Sequence, residues 1–177
     1  MKEAARDERT DRQVPAIVVM GVAGSGKSVV GEKLAKALGA DFIEGDRLHP
    51  LENIALMASG TPLDDEHRKG WLDAIGRQIA LSVDQGHGAV AACSALKRSY
   101  RDRLRGFAPD LVFLYLKVDP ATARDRVAGR RNHFMPASLV ESQFAALEEP
   151  GSNEAALTLD GAQPVDALVE AARSRLR

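Results

Sequence analysis

The sequence of 177 residues lacks the features that mark secreted, membrane-spanning and nucleic-acid-binding proteins. A single cysteine, Cys93, excludes an internal disulfide framework and a zinc site built on several cysteines. No apolar run approaches the ~20 residues needed to cross a bilayer. The net charge of −1 gives no support for binding to nucleic acid or to a membrane surface. These absences leave an ordinary soluble, globular protein, which we expect in the cytoplasm.

The first residues of the chain are also unlike a signal peptide. Residues 1–14 mix acidic and basic side chains and contain no apolar segment of the kind that directs secretion. We predict a flexible N-terminal tail over 1–14 and a single domain over 15–177, because the length suits one domain with a sizeable core. No repeat, low-complexity tract or linker divides that domain.

A glycine-rich motif is the most informative stretch that is present. It fits the phosphate-binding P-loop pattern G-x-x-x-x-G-K-[ST], and its residues are Gly21, Val22, Ala23, Gly24, Ser25, Gly26, Lys27 and Ser28. An apolar stretch typical of a buried strand precedes it, and a helical pattern over 29–38 follows. Strand, loop and helix let backbone N–H groups surround a polyphosphate, while Lys27 reaches the β- and γ-phosphates and Ser28 ligates Mg²⁺. The motif therefore predicts binding of a nucleoside triphosphate.

Strand-like and helix-like segments alternate along the whole domain. The apolar runs predict strands over 16–20, 41–44, 89–93, 111–116 and 156–159. The helical patterns predict helices over 29–38, 50–59, 65–83, 96–105, 120–131, 136–148 and 165–176. This order indicates an α/β P-loop NTPase with a five-stranded parallel sheet and helices on both faces. Because ligands of such sheets bind at the carboxyl ends of the strands, we examined the residues there most closely.

The end of the second predicted strand carries two carboxylates, Glu44 and Asp46. Beside a triphosphate, one can serve the magnesium shell while the other accepts the proton of an attacking hydroxyl. Asp46 is the better candidate for the base, since it lies at the open end of the strand; alternatively, it caps the next helix. His49 follows closely and either contacts the acceptor or has only a structural hydrogen-bonding role.

Basic side chains cluster after the third strand. Lys97 and Arg101 lie four residues apart on one face of a predicted helix, as a clamp for an anionic substrate would require. A solvated charged face is the equal alternative. Cys93, just before this helix, is expected to pack as a small core residue.

A second basic cluster precedes a break in the helical pattern. Arginines at 124, 126, 130 and 131 lead into this break, which predicts a lid over about 124–140 that closes on the phosphates. Arg130, nearest the break, is the best candidate for a catalytic role, although the whole cluster could also be a solvated face. After the fifth strand, the turn-rich connection around Gln163 is a candidate binding site for adenine.

Two motifs of other P-loop proteins are missing. The segment 116–119 has leucine where a GTPase needs the asparagine of Asn-Lys-x-Asp, and no strand ends in the Asp-Glu pair of a motor ATPase. The short chain therefore favours a small-molecule kinase.

Beyond the P-loop, three further segments are informative: G-D-R-L-H-P-L-E-N at 45–53, M-A-S-G-T-P-L at 57–63, and C-S-A-L-K with Y-R-D between 93 and 102. In these segments the sequence resembles the P-loop gluconate kinases. The resemblance continues with Arg130 and with Q-F-x-x-L-E-x-P at 143–150, so it covers nearly the whole domain. The sequence differs from the family pattern at Glu44, Leu56, His67 and Gly70.

The resemblance implies a shikimate-kinase-like or nucleoside-monophosphate-kinase-like fold with a lid, often as a homodimer. It implies transfer of the γ-phosphoryl group of ATP, with Mg²⁺, to the 6-hydroxyl of D-gluconate. On that basis Lys27, Asp46 and Arg130 would be catalytic residues. The residues proposed to bind gluconate are His49 at its hydroxyls and Arg68, Lys97 and Arg101 at its carboxylate.

Two rival functions stay open at this point. One is a related kinase, such as a shikimate kinase, which should show three glycines where this chain has Cys93-Ser94-Ala95. The other is a non-catalytic ATP-binding module, which would need no acceptor-side base.

Overall fold

Five parallel strands form one sheet in the order β2-β3-β1-β4-β5. The structure is a computed structural model that describes residues 14–130, 136 and 138–176. The strands are β1 (Ala16–Met20), β2 (Asp41–Glu44), β3 (Ala89–Ala92), β4 (Val112–Lys117) and β5 (Ala156–Asp160). The α-helices are α1 (Lys27–Leu38), α2 (Leu51–Ala58), α3 (Asp65–Asp84), α4 (Arg98–Arg105), α5 (Pro120–Ala128), α6 (Leu139–Ala146) and α7 (Val165–Arg175). The predicted α/β class and all five strands are confirmed.

Helices cover both faces of the sheet, because the central strand β1 is apolar on both sides. Val18 and Met20 belong to a core shared with α3 and α4. Ile17 and Val19 alternate with them and pack in a second core with α1 and α7. All five residues of β1 are buried, as expected of a strand with helices above and below.

The helix α3 is amphipathic, and its apolar face lies towards the sheet. Trp71, Ile75 and Ile79 are all buried on the face that packs against the sheet. Asp64 caps the helix by accepting a hydrogen bond from the His67 amide at 2.9 Å, which satisfies one of the free N–H groups of the first turn. No helix within the described parts of the chain is long and apolar enough to span a membrane.

The topology brings the candidate site together at one edge. The strand order reverses around β1, since the chain leaves β1 with β3 on one side and β4 on the other. The P-loop follows β1, a short 3₁₀-helix (Gly45–Leu48) follows β2, and Ser94 follows β3. Three neighbouring strands therefore deliver their connecting segments to the crevice where open α/β sheets bind ligands.

Two helices, α5 and α6, are shorter by three residues or more than the sequence indicated. The first ends at Ala128, with Gly129 as its C-cap, instead of reaching 131. The second begins at Leu139 and ends at Ala146, where Leu147 becomes extended. The predicted lid over 124–140 lies only partly within the described residues, and the predicted tail over 1–14 lies outside them except for Val14.

Candidate functional site

The P-loop connects β1 to α1 through backbone conformations that favour glycine. Gly24 and Gly26 have φ values of 83° and 92°, in the left-handed region. A Cβ atom on Gly24 would lie 2.5 Å from the carbonyl oxygen of Ala123 in α5, so only glycine allows this close approach. A Cβ on Gly26 would meet nothing within 4 Å, because Gly26 borders open space at the N-terminus of α1.

The polar groups of the loop fit an anionic ligand. The Lys27 ammonium group donates to the Val22 carbonyl at 3.0 Å and lines the pocket beside the loop. Burial lowers the pKa of Lys27, and the nearby charge of Asp46 opposes this shift. The buried hydroxyl of Ser25 finds no hydrogen-bond partner among the residues that the structure describes. A bound polyphosphate would supply the negative charge and the acceptor oxygens that these groups lack.

The carboxylate of Asp46 faces the same pocket from the 3₁₀-helix after β2. The cap of this short helix is Glu44, whose carboxylate lies 3.5 Å from the Asp46 amide. The next helix, α2, has Pro50 as its N-cap and no side-chain cap, so Asp46 does not have the helix-capping role considered as its alternative.

His49 lines the same pocket as Asp46. Its ring stacks on Trp71, with the ring centroids 4.1 Å apart and the planes at 12°. The indole N–H of Trp71 donates to the Gly45 carbonyl at 2.8 Å, which fixes the stacking platform. Burial is the main cause that lowers the pKa of His49 to about 4, so the imidazole is neutral at physiological pH.

Two arginines bring positive charge to the pocket. Arg68 of α3 is 9% exposed, and its Nε donates to the Leu63 carbonyl at 3.3 Å. Its guanidinium lies 5.5 Å from the centroid of the Tyr100 ring. Arg130 lies just beyond α5 and lines the pocket from an exposed position. Its charge is among the causes that lower the pKa of Lys27, since like charges oppose each other.

Lys97 and Arg101 are not among the residues that line this pocket. The Lys97 ammonium group lies 3.0 Å from the Asp65 carboxylate, in a neighbouring depression that Arg68 also lines. Arg101 is completely buried and forms an ion pair with Glu154. We therefore no longer include Arg101 among the substrate-binding candidates, because its guanidinium is already engaged and does not line the pocket. Its charge and its helical spacing could not reveal this burial.

Gln163 lies in the β5–α7 connection, as predicted, and its amide is 3.3 Å from the Asp160 carboxylate. The nearby Arg126 connects this segment with the P-loop. Its guanidinium donates to the carbonyls of Gly24, at 3.3 Å, and Gly161, at 3.1 Å. The sequence placed Arg126 only within a cluster of four arginines, and nothing distinguished it there.

Gln143 is the clearest pocket residue that residue-by-residue reasoning missed. Its side-chain oxygen accepts a hydrogen bond from the Ala23 amide of the P-loop at 2.7 Å, across 120 positions in sequence. The side chain is buried and lines the pocket. Only its place in the family-like segment 143–150 could have drawn attention to it.

Taken together, one pocket contains phosphate-binding, acidic and cationic groups. Seven predicted site residues line it: Ala23, Lys27, Ser28, Asp46, His49, Arg68 and Arg130. Further lining residues, which were not predicted as site residues, are Met57, Leu63, Trp71, Ser94 and Gln143. A pocket with a phosphate cradle on one side and a carboxylate on the other suits transfer of a phosphoryl group to an acceptor.

Comparison with known sequences identifies close relatives. The family model described as an AAA domain matches residues 17–150. The gluconokinase of Gluconobacter oxydans (strain 621H) is 45% identical over 154 residues, which cover 87% of this chain and 86% of the relative. The thermoresistant gluconokinase of Escherichia coli (strain K12) is 43% identical over 153 residues, covering 86% of this chain and 87% of the relative.

Solved structures give the same result for the fold. A crystal structure of a gluconokinase from Sinorhizobium meliloti 1021 superposes with a TM-score of 0.82 at 47% identity, covering 93% of this chain and 94% of the other. An unliganded sugar kinase from Janibacter sp. HTCC2649 superposes with a TM-score of 0.87 at 42% identity, covering 92% and 94%.

Proposed function

The chain belongs to the gluconokinase family of P-loop kinases, and we propose that its pocket transfers the γ-phosphoryl group of ATP to the 6-hydroxyl of D-gluconate. The products are ADP and 6-phospho-D-gluconate. One observation carries this proposal beyond the family membership: Lys27 of the phosphate cradle and Asp46 of the acceptor side line the same pocket.

On the nucleotide side, the P-loop from Gly21 to Ser28 is proposed to hold the phosphates of ATP. Backbone N–H groups and the N-terminus of α1 supply partial positive charge, and Lys27 supplies a full one. The Lys27 ammonium group, which here donates to the Val22 carbonyl, is proposed to contact the phosphates when ATP binds. Gln163 in the β5–α7 connection remains a candidate for the adenine contact.

A magnesium ion with ATP fits the donor set. Ser28 offers a hydroxyl oxygen at the start of α1, where P-loop proteins bind this ion. Within the described residues no group of three or more His, Cys, Asp or Glu side chains could hold a metal. Mg²⁺ does not require one, since it usually combines one or two protein ligands with waters and phosphate oxygens. When bound, the ion neutralises charge on the phosphates.

On the acceptor side, Asp46 is proposed as the general base. The 6-hydroxyl oxygen of gluconate forms a bond to the γ-phosphorus, and the bond from that phosphorus to the β–γ bridging oxygen breaks. The bridging oxygen keeps the electron pair and leaves on ADP, while the hydroxyl proton passes to the Asp46 carboxylate. Lys27 and Arg130 stabilise the negative charge that spreads over the transferred group.

The remaining candidate residues are proposed to bind gluconate, the phosphoryl acceptor. Gluconate is a small polyhydroxylated anion, so its site needs a cation for the carboxylate and polar groups for the hydroxyls. Arg68 is the better-placed cation, because it lines the pocket. Lys97 does not line the pocket and is paired with Asp65. His49 is proposed to contact a hydroxyl.

Both rival functions have less support. A pure ATP-binding module has no use for Asp46, His49 and Arg68 around the space next to the phosphate cradle. A shikimate kinase should offer three glycines after β3, where this chain has Cys93-Ser94-Ala95 and packs Cys93 and Ala95 into the core.

The direct test is release of ADP from ATP and Mg²⁺ with D-gluconate, with shikimate, or with no acceptor. We expect release above the background only with gluconate. Equal release in all three reactions would indicate an ATPase without an acceptor, and release with shikimate alone would reassign the acceptor.

Two further expectations from the sequence stay proposals. The homodimer is supported by the family resemblance, and sedimentation velocity over a range of protein concentrations tests it. The cytoplasmic location is supported by the composition, and fractionation of cells that express the protein tests it.

A further inference from the structure

The buried side chain of Asn53 lies between the pocket and the start of α3 and has no role in the mechanism above. It is 2% exposed. Its amide nitrogen, Nδ2, is 2.9 Å from the backbone carbonyl oxygen of His67 and 3.3 Å from Nδ1 of His49. A single NH₂ group therefore faces both a carbonyl oxygen and a ring nitrogen.

The chemistry of these partners determines the orientation of the amide. A backbone carbonyl can only accept hydrogen bonds, so the NH₂ group of Asn53, and not its oxygen, must face His67. The same NH₂ group then presents its second hydrogen to His49, and Nδ1 must accept it with a lone pair. The assignment does not depend on visible hydrogen atoms, because the reversed amide would bring two carbonyl oxygens together.

We infer that Asn53 is a positioning residue that holds His49 as the neutral tautomer with its proton on Nε2. In this form His49 donates a hydrogen bond and accepts no proton during catalysis. Given the function proposed above, the Nε2–H group of His49 donates to a hydroxyl oxygen of gluconate. Asp46 is then the base of the pocket.

The surroundings of His49 support a ring of fixed orientation and no charge. Stacking on Trp71 sets the plane of the imidazole, and the bond from Asn53 sets its rotation within that plane. Burial lowers the pKa of His49 to about 4. The charged groups that act on it oppose each other, since Asp46 raises this pKa and Arg68 lowers it.

An exchange of one atom in Asn53 tests the inference. In Asn53→Asp the carboxylate can only accept, so His49 has to carry a proton on Nδ1, either as the other neutral tautomer or as a cation. Asn53→Leu removes the bond with a side chain of similar shape. Asn153→Asp is the matched control, because it makes the same chemical change at an exposed residue outside the pocket.

The tautomer can be read directly from a two-bond ¹H–¹⁵N correlation spectrum of protein labelled in its histidine rings. The signals of His49 are those that disappear in His49→Gln. For the wild type and for Asn153→Asp we expect the pattern of the Nε2–H tautomer. For Asn53→Asp we expect a pattern with a protonated Nδ1. A protonated Nδ1 in the resting wild type would overturn the inference, whether or not the variants fold.

Kinetics separate positioning from mere stability. If His49 in Asn53→Asp is the neutral Nδ1–H tautomer, its Nε2 becomes an acceptor and we expect the KM for gluconate to rise about tenfold or more. If it is the cation, Nε2–H still donates and we expect a smaller rise. The affinity for ATP should remain within about twofold of the wild type. An unchanged tautomer and KM in a folded Asn53→Asp protein would contradict the inference. Because the spectrum requires no turnover, it tests the tautomer of His49 even if gluconate proves not to be the substrate.

Discussion

Arg101 and Glu154 form a buried, bidentate ion pair next to the pocket. Nε of Arg101 lies 2.7 Å from Oε2 of Glu154, and Nη2 lies 2.8 Å from Oε1. The remaining nitrogen, Nη1, donates to the carbonyls of Ala95 and Leu96. Ala95 has a φ of 44°, a left-handed conformation that is uncommon for a residue other than glycine. Arg101 therefore stabilises the unusual backbone that directly follows Ser94 of the pocket.

For Arg101→Met we expect a loss of stability and little change in substrate binding. The change removes the bidentate partner of Glu154 and leaves Arg105, whose Nη2 lies 3.2 Å from Oε2, as its remaining close cation, so we expect a cost of about 2 kcal/mol. Lys97→Met is the control, since its exposed pair with Asp65 contributes at most about 1 kcal/mol. Urea unfolding and the KM for gluconate measure the two effects. A raised KM at unchanged stability would return Arg101 to the substrate-binding residues.

Lys27→Ala should abolish turnover without unfolding the protein. The variant loses the ammonium group of the phosphate cradle, and we expect kcat to fall at least ~10³-fold. Lys36→Ala changes an exposed lysine of the same helix and should keep full activity. Steady-state kinetics and circular dichroism measure both variants. Normal turnover in Lys27→Ala would refute the assignment of the P-loop.

Asp46→Asn should separate chemistry from ATP binding. Without the carboxylate no base accepts the hydroxyl proton, so we expect kcat to fall at least ~10²-fold while the ATP affinity stays close to the wild type. Glu44→Gln is the comparison, because Glu44 caps the 3₁₀-helix and lies outside the pocket lining. If the loss in Asp46→Asn is confined to ATP affinity, Asp46 belongs to the magnesium shell instead.

Arg68 and Lys97 should differ in their effect on gluconate. A hydrogen bond to a charged partner contributes about 1.5–3 kcal/mol, so Arg68→Met should raise the KM for gluconate roughly 10- to 100-fold. Lys97→Met should change it less than about threefold, since its ammonium group is paired with Asp65. A larger effect for Lys97 than for Arg68 would show that this pair opens to admit the substrate.

Protein stability should fall in acid in a way that depends on His49. The pKa of His49 is about 4 in the folded protein, against 6.5 for an ordinary histidine. Between these values the unfolded chain binds a proton that the folded protein excludes, so the free energy of unfolding decreases as the pH falls from 6.5 to 4. The decrease reaches about 3 kcal/mol and then levels off.

The comparison with His49→Gln isolates this contribution. Every other ionisable group is present in both proteins, so its contribution cancels in the difference. We expect the difference in unfolding free energy, measured with urea, to change by about 3 kcal/mol in favour of the variant between pH 7 and pH 4. A constant difference would show that the folded protein binds the proton as readily as the unfolded chain.

The fold and the phosphate side of the site could be predicted because their signals are local. An apolar run marks each buried strand, and a short motif marks the P-loop. Asp46 and His49 followed from the rule that parallel strands bring their carboxyl ends to one edge of the sheet.

The remaining parts of the site depend on contacts that no local pattern contains. Arg101 has the spacing of a solvated or substrate-facing residue, and only its partner Glu154, 53 positions away, makes it a structural one. Gln143 contacts Ala23 across 120 positions. The role of Asn53 depends on which atom of its amide faces His67, and a sequence carries no information about that orientation.

The most direct test of the central claim is to follow the acceptor oxygen itself. D-gluconate labelled with ¹⁸O at its 6-hydroxyl is incubated with the protein, ATP and Mg²⁺, and the product is analysed by ³¹P NMR and mass spectrometry. We predict 6-phospho-D-gluconate with the label in the oxygen that bridges carbon 6 and phosphorus, in amounts equal to the ADP formed. Phosphate on another oxygen, or ADP formed without any phosphorylated gluconate, would contradict the proposed function.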